Sequence, residues 1–180
     1  MKPNIFATIL LGMLLVTAKP FVASADSFHN IATQAWTKYT AAQASWQRGL
    51  AELVMWMNPR FREIATVQRD LQLASIERST ARFRYLLEHD PHRIVLTNGV
   101  SHFANFEWTD TDTELLTESD PAYAQLQKRI MTLKKKNDEK SDWPEFRAWF
   151  RDTLSRSKDY EALLSDFQAK GKAVEDLLGR

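Results

Sequence analysis

Apolar residues between Ser27 and Met57 recur at a 3,4 spacing: Phe28, Ala32, Ala35, Tyr39, Ala42, Trp46, Gly49, Leu53 and Trp56 fall on one stripe. That periodicity predicts a helix packed along its whole length. Large and small residues alternate within the stripe, with Tyr39, Trp46 and Leu53 set against Ala35, Ala42 and Gly49, so a neighbouring backbone can approach at the small positions. Trp46 and Trp56 belong to the stripe and Trp36 lies beside it, where it could meet a partner; core packing is the default for all three. Asn58-Pro59 ends the helix, because the residue before proline disfavours α geometry.

Asn58 then caps a second helix with Pro59 in its first turn. Ile64, Val67, Leu71, Ala74, Ala81 and Tyr85 carry a seam to about Leu87. Leu73, Ile76 and Phe83 add a second stripe, so this helix is predicted to pack on two sides. Each of these helices spans roughly 45 Å, and the short junction between them implies an antiparallel hairpin. A shorter helix starts at Ser119-Asp120-Pro121, with Tyr123, Leu126, Ile130 and Leu133 as its seam and Lys134 to Lys136 near its negative end. Asp142-Trp143-Pro144-Glu145 has the form of a capping box and opens the last segment. Its seam runs from Phe146 to Leu178 but weakens at Thr153 and Ser157, leaving either one long helix or two.

Residues 90–118 break the helical pattern. Ile94 to Thr97, Asn98-Gly99 and Val100 to Phe103 are predicted to form a β-hairpin, since Asn-Gly suits the positive φ angles of a two-residue turn. Such a hairpin is marginal alone, so Phe103, Phe106 and Trp108 are expected to anchor it on the helices. A single helical turn is expected near Thr113. The fold expected is therefore all-α: an elongated bundle of three long helices and one shorter one, with a small β-hairpin insertion near residues 94–103.

The first 25 residues change the setting. Lys2, the apolar run from Ile5 to Val16 and the small-x-small sequence Ala23-Ser24-Ala25 have the form of a secretory leader cut after Ala25. The apolar run is shorter than the ~20 residues a bilayer span needs. Residues 26–180 are then expected as one periplasmic or secreted domain, without stable membrane insertion. The chain has no cysteine, which excludes disulfides and thiolate metal sites. The formal charge of +1 drops to −1 once the two leader lysines are removed, and a near-neutral domain argues against nucleic acid as partner.

Candidate chemistry gathers around the irregular region. His89, Asp90 and His92 place two imidazoles and a carboxylate within four residues, and His102 could join them as ligands to a transition metal. His89 equally suits a helix C-terminus, where a cationic ring is favoured. Asp110, Asp112, Glu114, Glu118 and Asp120 supply oxygens for calcium but lack the turn glycine of a helix–loop–helix calcium site. Arg78 and Arg82 lie one turn apart on the second helix and, with Trp108, form a candidate binding set for an anionic ligand. No nucleophile motif, phosphate-binding glycine loop or HExxH helix is present, and no cofactor is implied beyond a metal ion.

These features favour a non-enzymatic exported protein that binds a protein partner, or a second copy of itself, through long helical faces. One alternative is a ligand- or metal-binding domain using residues 89–108. Another is an all-α enzyme that clamps a small anionic substrate with Arg78 or Arg82 beside an acid such as Glu77 or Asp70.

Overall fold

The first helix, α1, runs from Ala25 to Met57 in a computed structural model that describes residues 25–96 and 99–179. The side chains of residues 25, 26, 101 and 102 fall outside that description. The leader expected over residues 1–25 lies almost wholly outside the described residues. Ala32, Ala35, Trp36, Ala42 and Trp46 are buried, and beyond them the buried positions are Leu50, Ala51 and Val54. The buried face thus moves one residue ahead of the predicted stripe. A strict seven-residue repeat drifts by about 20° per heptad on a straight helix of 3.6 residues per turn, and four heptads amount to most of one residue step. One expectation is corrected as a result: Trp56, expected in the seam, is 72% exposed, whereas Trp36 takes the core packing expected by default and is 4% exposed.

Asn58 caps a short 3-10 turn, Pro59–Phe61, its side chain accepting the Arg60 N–H at 3.3 Å. The chain then enters α2, Arg62–His89, which packs along α1. Trp36 stacks on Phe83 with ring centroids 4.4 Å apart and planes 3° from parallel, and its indole N–H donates to Thr80 Oγ1 at 3.2 Å.

Three shorter helices follow: α3 (Val100–Ala104), α4 (Asp110–Ser119) and α5 (Pro121–Asp138). As the sequence predicted, Asp120 caps α5, accepting from Ala122 and Tyr123, and α5 lies along the side of α2 away from α1. Its Ile130 packs with Leu71 and Ala74, so α2 is indeed covered on two sides.

The last segment is two helices, α6 (Trp143–Asp152) and α7 (Lys158–Leu177), separated by a 3-10 turn at Leu154–Arg156. Ser157 starts α7 by accepting the Tyr160 N–H at 3.2 Å. The capping box expected at Asp142 is absent: that carboxylate caps no backbone N–H of α6 and accepts the Ser141 hydroxyl. Helix α7 runs antiparallel along α1, with Leu163 against Gly49 and Val174 in the cluster of Ala32 and Ala35. A Cβ on Gly49 would stand 2.7 Å from Leu163 Cδ1, so the missing side chain is what brings the two helices this close.

The β-hairpin expected near residues 94–103 is corrected: the described residues contain no strand, and the fold is all-α. Pro91–Arg93 forms a 3-10 turn, Ile94 leaves it in extended geometry, and Val100–Ala104 is helical. Gly99 does take the positive φ that the Asn-Gly pair suggested, at 83°, but it precedes a helical turn closed by Phe103 N–H on Gly99 C=O at 3.0 Å. A lone two-stranded ribbon gains little, whereas a helical turn carries Phe103 fully inside, edge-on to both Trp36 and Phe83.

The apolar interior divides between the two ends of the α1–α2 pair. At the α1–α2 junction, Trp46, Leu50, Val54, Phe61, Ile64, Phe146 and Leu154 pack together. At the opposite end, Trp36, Phe83, Leu86, Ile94, Phe103 and Val174 do so. Beside the first of these clusters, near Leu50, Ala65 and Phe146, the Gln68 amide is buried with neither its oxygen nor its nitrogen hydrogen-bonded.

Candidate functional site

Two surfaces stand out. The first is the arginine–aromatic cluster between α2, α5 and the loop before α4. Arg78 and Arg82 are one helical turn apart and half-buried. Arg82 Nε donates to the Tyr123 hydroxyl at 2.9 Å, and its guanidinium lies 4.9 Å from the centre of the Trp108 ring, so the structure brings these two predicted residues together. Trp108 is itself fixed by its indole N–H on Thr113 Oγ1 at 2.8 Å and by an edge-on contact with Tyr85. Tyr123 is almost completely buried and also accepts from Gln127 Nε2 at 3.1 Å. Arg78 has its Nε buried with no partner. Burial lowers its affinity for a proton, and the like charge of Arg82 adds to that effect, with Tyr123 opposing it.

The acids named as partners for an enzymatic site lie elsewhere. Glu77 pairs with Arg129 at 3.0 Å and Asp70 with Arg69 at 2.8 Å. Neither arginine of the cluster forms an ion pair among the described residues, so the place is rich in donors and lacks a carboxylate.

The predicted metal residues have other engagements. His89 stacks on Tyr85 with centroids 4.3 Å apart, and its Nδ1 donates to the Tyr85 carbonyl at 2.9 Å. Asp90 follows α2 as its C-cap, and His92 is exposed on the adjoining 3-10 turn. The His102 side chain lies outside the described residues. Among those described, no group of three metal-ligating side chains converges. Of the acids weighed for calcium, Asp120 caps α5 and Asp112 is held by Arg93. Arg93 donates from both terminal nitrogens, at 3.1 and 2.7 Å, while Thr109 supplies a backbone N–H at 2.8 Å and a hydroxyl at 2.7 Å. The Arg93 hydrogen bonds come first in holding this carboxyl well below the usual carboxylate range.

The second surface is a groove of about 360 Å³ between α1 and α7, lined by Gly49, Glu52, Leu53, Trp56, Asp159 and Leu163. Trp56 is the single exposed tryptophan of the six in the chain. Glu52 and Asp159 stand at its edges, exposed and without an ion-pair partner among the described residues.

No protein-family model, curated protein or solved structure matches this chain.

Sequence reasoning found Arg78, Arg82 and Trp108 but missed Tyr123 and Gln127. Tyr123 carried a signal, since a tyrosine on an α5 seam brings a hydroxyl into the interior that must find a partner. The groove was missed because Trp56 had been placed in the seam.

Proposed function

We propose that this protein is a non-enzymatic, exported binding protein that docks an amphipathic helix of another protein in the α1–α7 groove. The exposed Trp56 carries the reading. A large aromatic ring left in water beside a shallow, partly apolar groove is the kind of anchor on which interface energy concentrates. Covering it contributes about 3 kcal/mol at the usual value per area of apolar surface. The two acids flanking the groove select the occupant: a helix presenting an aliphatic side chain to Leu53 and Leu163, with lysine or arginine one turn away to meet Glu52 and Asp159. The setting outside the cytoplasm rests on the leader-like residues 1–25, and the platform on the elongated helical bundle the seams predict. Among the described residues, no helix is long and apolar enough to cross a membrane.

The test uses fluorescence anisotropy with two labelled synthetic helices of about 18 residues, long enough to hold helical structure. One carries leucine and lysine, the other leucine and glutamate. The leucine–lysine helix is expected to bind, and Trp56→Ala to weaken it about 100-fold, the equivalent of the lost burial. Equal binding of both helices, or of the wild type and Trp56→Ala, overturns the proposal. A concentration-dependent dimer that Trp56→Ala abolishes overturns the choice of occupant in favour of a second copy of the chain.

A further inference from the structure

We propose that Arg78, Arg82, Tyr123 and Gln127 form a receptor for a phosphate group, independent of the α1–α7 groove. Among the described residues, the cluster lacks a counter-charge. Two guanidiniums one turn apart repel each other, and a fold that keeps them half-buried ordinarily supplies a carboxylate. Here the nearest acid on the same helix, Glu77, is turned to Arg129, and the Asp120 carboxylate is used on the backbone of α5. No negative side chain acts on the Arg78 charge strongly enough to offset Arg82.

The hydrogen bonds point the same way. The Tyr123 hydroxyl accepts from Arg82 and from Gln127, which fills both of its lone pairs and leaves its proton to be given away. Arg78 has a buried Nε with nothing to donate to. Donors from two helices therefore meet at a place that offers no acceptor of its own. A ligand that is all acceptor and carries charge near −2 answers both deficits at once. A phosphate dianion has that charge and enough oxygens to take hydrogen bonds from α2 and α5 together. A single carboxylate would leave one positive charge uncompensated.

The frame around the cluster is already set. Arg82 is clamped between the Tyr123 hydroxyl and the Trp108 ring, and Trp108 is tied to Thr113. Arg78 alone has no side-chain partner to give up, so binding should act most strongly on it.

The experiment follows the arginine Nε–H signals of the full mature chain by NMR at constant ionic strength. Inorganic phosphate is titrated against chloride, followed by phosphatidylglycerol vesicles against phosphatidylcholine vesicles. The expected result is a saturable shift of the Arg78 Nε–H signal that chloride does not produce. Arg78→Gln should weaken phosphate binding at least tenfold by calorimetry, while Arg60→Gln, at an exposed residue paired with Glu145, should leave it unchanged. A response to free phosphate supports a soluble ligand, and a response confined to phosphatidylglycerol supports a lipid headgroup. No shift of the Arg78 signal with either probe overturns the proposal, and this reading needs no variant to fold. Equal phosphate affinity of Arg78→Gln and the wild type overturns it as well.

Discussion

Replacing Asp112 by asparagine tests how the loop between α2 and α5 is held. The carboxylate accepts two hydrogen bonds from Arg93 and two from Thr109, and its side chain is only 12% exposed. Asparagine keeps the size but loses the charge and one acceptor oxygen. The capping contribution is about 1 kcal/mol. The charge-assisted bonds to Arg93 contribute about 1.5 kcal/mol more, the lower end of their range because the pair is not fully buried. A loss of about 2–3 kcal/mol at pH 7 corresponds to a melting point lower by about 4–10 °C for a domain of this size. Thermal unfolding followed by circular dichroism measures it. The pH dependence gives a second check. The folded-state pKa of Asp112 is depressed, so its stabilisation is present above the unfolded value of about 3.9 and fades as pH falls below it. The gap between wild type and Asp112→Asn should therefore narrow from pH 7 to pH 3. A gap under about 0.5 kcal/mol at pH 7, or one that does not narrow in acid, would refute the account. So would a double-mutant cycle in which Asp112→Asn and Arg93→Met are additive.

Phe103→Ala should destabilise the fold by about 3–5 kcal/mol, because it opens a cavity between Trp36 and Phe83; urea unfolding reads the change, and a loss below about 1 kcal/mol would show that the short α3 is not anchored there. Gly99→Ala should cost about 1–2 kcal/mol through its positive φ, without removing any strand signal from the far-ultraviolet dichroism spectrum; a loss of strand signal would restore the hairpin.

The all-α class, the cap at Asp120 and the two-sided packing of α2 were legible because each rests on local rules: a proline in the first turn, an acid before it, and seams at helical spacing. The hairpin was not, although Gly99 has the backbone angle the motif requires. The sequence suits Gly99 to a positive φ, but does not show that Phe103 gains more by entering a helical turn against Trp36 than by joining a strand. Trp56 was misplaced for a geometric reason. Choosing the buried face of a 33-residue helix by a seven-residue repeat accumulates an error that a shorter helix does not reveal. In the arginine cluster, Arg78, Arg82 and Trp108 were found by spacing and residue type. Tyr123 and Gln127 were not, because their role depends on α5 lying antiparallel to α2, and that pairing is not written in either helix alone.

The division of the interior into two ends has a consequence for motion. The long helices α1, α2 and α7 pass through both ends, but the buried apolar residues of the two ends form separate clusters, leaving a seam in the packing. Such a seam favours partial openings, in which one end loosens while the other holds. The Trp56 groove belongs to the end with Phe146 and Leu154, and the Arg78–Arg82 cluster lies towards the other. The protein can thus breathe at one surface without disturbing the second, so occupancy of the groove and of the cluster need not be felt by one another.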